Sequence, residues 1–242
     1  PTLIRQFLLW LSETGHNSGG VHGCYRALRA FLNWWEDEYE PENWRNPIRK
    51  VKGPKISLES LPPADWETVK AMVDTCKGET AARDRALLLF LVDTGCRAGE
   101  ALSLDMDDYD PIVGAVNVRM GKGGKGRTVY VGRQTRRAIR KYLKQGEANG
   151  PLWQTIHGNR LTYDGLRAII TRRANQASVD PPGLHSFRRL FAIACLRNGM
   201  DLRRLQELLG HSTLHLLQRY TRLTDSDLRA AHHKSSPVDR GW

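Results

Sequence analysis

The stretch AVNVRMGKGGKGRTVYV, residues 115–131, is where the pattern of the chain changes. Val116 and Val118 alternate with polar residues, a glycine-rich turn intervenes, and Val129 and Val131 alternate again, which predicts a β-hairpin with a long turn. On both sides of it apolar residues recur at helical spacing. Toward the C-terminus helices are predicted over 133–147, 163–177, 185–198, 202–209 and 214–220, with one more over 225–233. Toward the N-terminus they cover 64–76 and 81–93, where Thr94-Gly95 stops the pattern. Two further amphipathic helices carry Leu3, Phe7, Leu8, Trp10 and Leu11, then Val21, Tyr25, Leu28, Phe31, Leu32 and Trp35. The expected class is mainly α with one small antiparallel β-sheet (α+β). Helical spacing also assigns Trp10, Phe31, Trp34 and Trp35 to the core.

The chain has 242 residues, enough for one or two domains with a buried core that needs no disulfides. Pro41, Pro47, Gly53, Pro54, Pro62 and Pro63 punctuate a segment of little periodicity, so a domain boundary is expected near 52–62. The first piece is small for an independent core, and Pro1 stands where an initiator Met would; both suit a sequence that begins partway into a longer protein. Its longest purely apolar run, Ala86 to Val92, is seven residues, far below the roughly 18 of a membrane span. Cys24, Cys76, Cys96 and Cys195 show no zinc-finger or redox spacing and read as reduced thiols in a cytosolic protein.

Charge points to the partner. The formal net charge is +11, and 40% of residues are hydrophobic, which describes a globular protein with a polyanionic ligand rather than a basic disordered tail. Between Asp110 and Glu147 no acidic residue occurs, while ten basic ones do: Arg119, Lys122, Lys125, Arg127, Arg133, Arg136, Arg137, Arg140, Lys141 and Lys144. Solvated faces usually mix signs, so one sign over a hairpin and the next helix indicates phosphate-backbone contact with a duplex.

Several motifs fail in context. Gly121 to Gly126 matches the dinucleotide pattern Gly-x-Gly-x-x-Gly, but a strand follows where that fingerprint needs a helix. What remains is a hairpin tip carrying Lys122 and Lys125. His211 and His215 have metal-ligand spacing, yet Ser212 stands where a metalloprotease has Glu and no third ligand is near, so no metal is expected. There is no Gly-x-Ser-x-Gly elbow, and Cys96 has no activating neighbour.

Breaking a phosphodiester without a metal sets a different requirement. The pentavalent transition state carries extra negative charge on its non-bridging oxygens, and arginine, forked and permanently protonated, meets it. A nucleophile and a proton donor for the leaving oxygen complete the set. Arg97 follows a helix stop, with Glu100 three residues on, where a carboxylate could hold the guanidinium or the fold around it. Lys122 follows on the hairpin, His185 and Arg188 share one helix face, His211 follows Leu208-Leu209-Gly210, and Tyr220 comes nine residues later. Each alone is uninformative; their order is the argument.

In that order the chain resembles the tyrosine recombinase (phage integrase) family, which includes the Xer-type resolvases. The resemblance rests on Thr94-Gly95-Cys96-Arg97-Ala98-Gly99-Glu100-Ala101-Leu102-Ser103-Leu104, Gly121-Lys122-Gly123-Gly124-Lys125, His185-Ser186-Phe187-Arg188, and Leu208-Leu209-Gly210-His211 with Tyr220. It implies the end of a helical core-binding domain at 1–52, a linker at 53–63, a catalytic domain at 64–222 and a tail at 223–242 that docks on a neighbouring subunit. It further implies that Tyr220 attacks the scissile phosphate to form a 3′-phosphotyrosyl link, with no ATP, metal or cofactor. Arg97 and Arg188 would clamp the non-bridging oxygens, Lys122 would protonate the leaving 5′ oxygen, His185 would act as base or donor, His211 would bond the phosphate, and Glu100 would support them.

Three positions depart from the family pattern: Arg189 where His is usual, Leu217 where Thr is common, and Arg222 where His is frequent. The implied partners are double-stranded DNA, further copies in a tetramer, and accessory directionality factors, in a cytoplasmic, nucleoid-associated setting with no membrane. Arg26, Arg29, Arg119, Lys125, Arg127, Arg172, Arg173 and Arg189 are the expected DNA contacts. The competing readings are a type IB topoisomerase-like enzyme and a catalytically inactive DNA-binding module.

Overall fold

The computed structural model describes residues 1–55, 64–119, 126–144, 149–210, 229, 232–233 and 236–241. The chain divides into two compact units, Pro1–Ser60 and Leu61–Trp242.

In the first unit α1 (Thr2–Glu13) packs on α2 (Ser18–Tyr39), followed by a single 3-10 turn, Pro47–Lys50. Asn17 caps α2, its side-chain oxygen accepting from the Gly20 amide at 2.7 Å. The core is Leu8, Leu11, Val21, Tyr25, Ile48 and Val51. Asn46 ties the turn to α2: its Nδ2 donates to the Leu32 carbonyl, Asn33 Oδ1 and Glu36 Oε2 at 2.9–3.2 Å, and its Oδ1 accepts from the Ile48 amide.

The aromatic residues correct a sequence expectation. Trp10, Phe31 and Trp34 are more than half exposed, and only Trp35 is partly covered, edge-on to Trp44 at 4.7 Å. Leu8 and Leu11 face α2, while Leu3, Phe7 and Trp10 form the next stripe around α1. A single neighbouring helix covers one stripe, so helical spacing alone does not say which is buried.

The second unit is built round α4 (Ala81–Thr94), which is apolar on nearly every side; Ala86, Leu87, Leu88, Phe90 and Leu91 are all essentially inaccessible. Against it lie α3 (Trp66–Asp74), α6 (Arg133–Leu143), α8 (Leu184–Arg197) and strand β2 (Arg127–Tyr130). Strand β1 (Ala115–Val118) pairs antiparallel with β2 in the register Val116↔Val129 and Val118↔Arg127, putting the alternate valines into the core. Helix α5 (Ala98–Leu102), α7 (Tyr163–Gln176) and α9 (Leu202–Leu209) complete the layers around the site, and a short helical turn spans Pro237–Gly241. The fold is therefore mainly helical with one two-stranded antiparallel sheet. No helix among the described residues is long and apolar enough to cross a membrane.

Candidate active site

Gly95 ends α4 with φ +60°, a left-handed cap open to glycine, and a Cβ there would lie 2.4 Å from Phe191 Cδ1. This sharp exit places Cys96 in the core and Arg97 at the N-cap of α5. Glu100, at the third position of α5, reaches back: its Oε2 accepts from the Arg97 amide at 2.8 Å and its Oε1 from Arg97 Nη1 at 2.7 Å. The same carboxylate accepts a bidentate pair from Arg127, Nη1 at 3.1 Å and Nη2 at 2.8 Å. Burial pushes the Glu100 carboxyl up, but the hydrogen bonds from Arg127 and Arg97 outweigh it and hold the pKa at about 2.

Arg188, one turn after His185 on α8, donates Nη1 to the Gly95 carbonyl at 2.8 Å and Nη2 to the Leu209 carbonyl at 2.6 Å. Arg127 Nε donates to the Leu208 carbonyl at 2.7 Å. The last carbonyls of α9, which have no partner within the helix, are thus taken by two guanidinium groups. Burial, and then the charge of Arg97, lowers Arg188 to about 10. Three cations around one carboxylate leave a fixed positive surplus, and Arg97 keeps 42% of its side chain open to solvent. Such an array holds an anion, and preorganised guanidinium forks stabilise charge that develops on a phosphate.

The structure thus brings Arg97, Glu100 and Arg188 together, with His185 exposed on the first turn of α8 and Arg189 half-buried. Lys122, Lys125, His211 and Tyr220 lie outside the described residues, as do the predicted helix at 214–220 and most of that at 225–233. Among the described residues, no group of three or more His, Cys, Asp or Glu is arranged to hold a metal ion.

The expected DNA contacts divide. Arg26 and Arg29 are exposed on α2. Arg119 is exposed but paired with Asp108 at 2.6 Å and Asp105 at 3.3 Å. Arg172 keeps 46% of its side chain accessible while bonding Asp84. Arg173 is a correction: it is 2% exposed and its guanidinium is spent on Asp84, Thr75 and Gln176, so it does not reach a duplex. Arg127 has a side chain only 14% exposed and bonded to Glu100 and Leu208. Nothing local marks Arg127 apart from nine other basic residues nearby, because its partners are 27 and 81 positions away.

Residues 65–227 match the phage integrase family. The chain is 31% identical over 241 residues to tyrosine recombinase XerA of Thermococcus kodakarensis, covering 97% of this chain and 82% of that one. It is 33% identical over 253 residues to tyrosine recombinase XerC of Oceanobacillus iheyensis, covering 98% and 81%. Its fold is similar to that of the Tn1549 transposon integrase, solved with a circular-intermediate DNA, at a TM-score of 0.75 and 16% identity over 96% of this chain and 84% of that one. The ordered motifs, the arginine cluster and these relatives agree, and the chain belongs to the phage integrase family of tyrosine recombinases.

Proposed function

We propose that this site-specific DNA recombinase cuts and rejoins duplex DNA through a covalent bond between Tyr220 and the 3′ phosphate of the broken strand. The observation that supports the reading is the gathering of Arg97, Arg127 and Arg188 about Glu100, a cationic array of the kind a pentavalent phosphate requires. Arg97 and Arg188 donate to the non-bridging oxygens, joined by His211. Tyr220 Oη forms the new P–O bond and gives its proton to His185, while the 5′ oxygen leaves with a proton from Lys122. A 5′-hydroxyl from a second strand then attacks the phosphotyrosine and reverses these transfers. One ester is exchanged for another, so ATP is not needed, and the arginines supply the charge stabilisation that a metal would otherwise give.

Strand exchange between two sites calls for four copies on paired duplexes, with accessory factors setting direction and the work done at the nucleoid in the cytoplasm. The catalytic domain is assigned to 64–222 and the docking tail to 223–242. A nicked suicide substrate carrying a candidate site tests the chemistry, with wild type beside Tyr220→Phe. A denaturation-resistant adduct from wild type alone is expected. Adducts from both would move the nucleophile elsewhere, and none from either, with DNA binding intact, would leave a binding module.

A further inference from the structure

Arg127 begins β2, where it pairs in register with Val118, and from there its side chain crosses to two other elements of the same unit. One end of its fork closes on both oxygens of Glu100, and Nε reaches the Leu208 carbonyl at the end of α9. Arg188 takes the very next carbonyl, that of Leu209, and Glu100 takes both the amide and the guanidinium of Arg97. Arg127 is thus one bond away from each of the two groups that hold the phosphate-binding arginines. The path of its side chain is kept open by Gly210, where a Cβ would come within 3.1 Å of Arg127 Cδ and Nη1. Gly210 also has φ +68°, which closes α9 in the left-handed region.

We propose that Arg127 is a positioning residue for the recombination reaction: by locking Glu100 and the end of α9 it fixes the spacing of Arg97 and Arg188, without itself touching DNA. The inference rests on the strand-cleavage reading above and adds the residue that sets the geometry of its anion site. A lysine cannot replace it, because one ammonium cannot span both carboxylate oxygens and a carbonyl on a third element at once. A phosphate contact at this position would behave differently, since loss of such a contact weakens binding and lowers its salt dependence.

The test compares wild type, Arg127→Lys, Arg127→Ala, Glu100→Gln and the double variant Arg127→Lys with Glu100→Gln in the full chain. Three quantities are read: DNA affinity against salt, the single-turnover rate of adduct formation at saturating suicide DNA, and the melting temperature. Arg127→Lys is expected to bind DNA within about threefold of wild type with the same salt slope, and to form adduct at least tenfold more slowly. The double variant should lose less rate than the product of the two single losses, because Arg127 and Glu100 share one contact, but more than Glu100→Gln alone, because the bond to the Leu208 carbonyl is lost as well. Guanidinium ion at low millimolar concentration should restore part of the Arg127→Ala rate. Weakened binding with a shallower salt slope and an unimpaired rate would make Arg127 a backbone contact and overturn the proposal. So would additive losses in the double variant, or loss of the fold in both Arg127 variants, which would make the residue a support of the domain instead of the site. If wild type itself forms no adduct, the cleavage reading falls; if wild type reacts and Arg127→Lys reacts equally fast, only the positioning role falls.

Discussion

Asp84 and Arg173, 89 residues apart in the chain, meet at 2.6 Å with both side chains buried. Arg83 and Arg172 close on the same carboxylate at 2.8 and 2.7 Å, so a single buried acid of the second unit holds three cations. Arg83 extends the network by donating to the Gln154 carbonyl and Arg173 by donating to the Thr75 carbonyl, while Thr75 Oγ1 donates back to the Arg173 carbonyl. The cluster joins α4 to α7 and to the turn after α3.

Replacing Asp84 with Asn leaves buried guanidinium groups without a counter-charge, and removal of one partner from a buried network costs about 3–5 kcal/mol. Urea unfolding of Asp84→Asn at neutral pH should show a loss of that order. A loss below about 1 kcal/mol would mean that the arginines find other partners. Burial pushes the Asp84 carboxyl up, and the hydrogen bonds and charges of its arginines bring it net below its ordinary 3.8. Its contribution is therefore fully present above pH 3.8 and is lost as pH falls further, so acid unfolding of wild type should be shifted to lower pH than that of Asp84→Asn.

Glu100 carries a second acid-linked contribution. Its folded value of about 2 lies below the ordinary 4.5, so stability from this group is full above pH 4.5 and is lost as pH falls from there toward 2. Discounted for solvent screening, it amounts to about 1–2 kcal/mol. Glu100→Gln should flatten the stability profile across that window and slow adduct formation about tenfold to a hundredfold, because Arg97 loses its anchor. An adduct rate equal to wild type would show that Arg97 holds its place without Glu100.

Gly95→Ala should damage both fold and chemistry. The new Cβ meets Phe191 at 2.4 Å and the backbone is in the left-handed region, so a melting-point drop corresponding to about 1–3 kcal/mol is expected. Any shift of the Gly95 carbonyl also displaces Arg188, which donates to it. Residual protein that folds at reduced temperature should bind DNA yet form adduct slowly; full-speed cleavage would detach Arg188 from this carbonyl.

Arg26→Ala and Arg29→Ala probe the exposed face of α2. As phosphate contacts, each should reduce the slope of log affinity against log salt by about 0.9 while leaving the adduct rate at saturating DNA unchanged. Unaltered slopes in both variants would remove that face from the DNA interface.

Periodicity and order made much of this molecule legible. The alternation around 115–131 marked a hairpin, and β1 and β2 form there. The unbroken apolar run of 86–92 lies in the central helix α4, and the helix stop at Thr94-Gly95 is the left-handed cap that delivers Arg97. For Glu100, three residues on, the sequence offered two roles, holding the guanidinium or the fold around it, and the structure shows the local contact to the guanidinium, within one turn of α5.

Long-range pairing was not legible. Arg173 looks like any basic helical residue until α7 folds against Asp84, and the bond of Arg127 to the Leu208 carbonyl forms only once β2 lies beside α9. Trp153, fully buried between Phe90 and Tyr142, belongs to a segment with no periodicity at all. Trp34 errs the other way: its spacing fits a core face, yet it is 51% exposed. By itself, then, the sequence determined the longer described helices, the hairpin and the family, and placed Glu100 within reach of Arg97, since periodicity, turn residues and neighbours within a helical turn act at short range along the chain. Only the tertiary structure decided which arginines are spent on Asp84 and Glu100 and which apolar stripes are covered, because a buried charge takes whichever partner the packing of distant elements brings within hydrogen-bond reach.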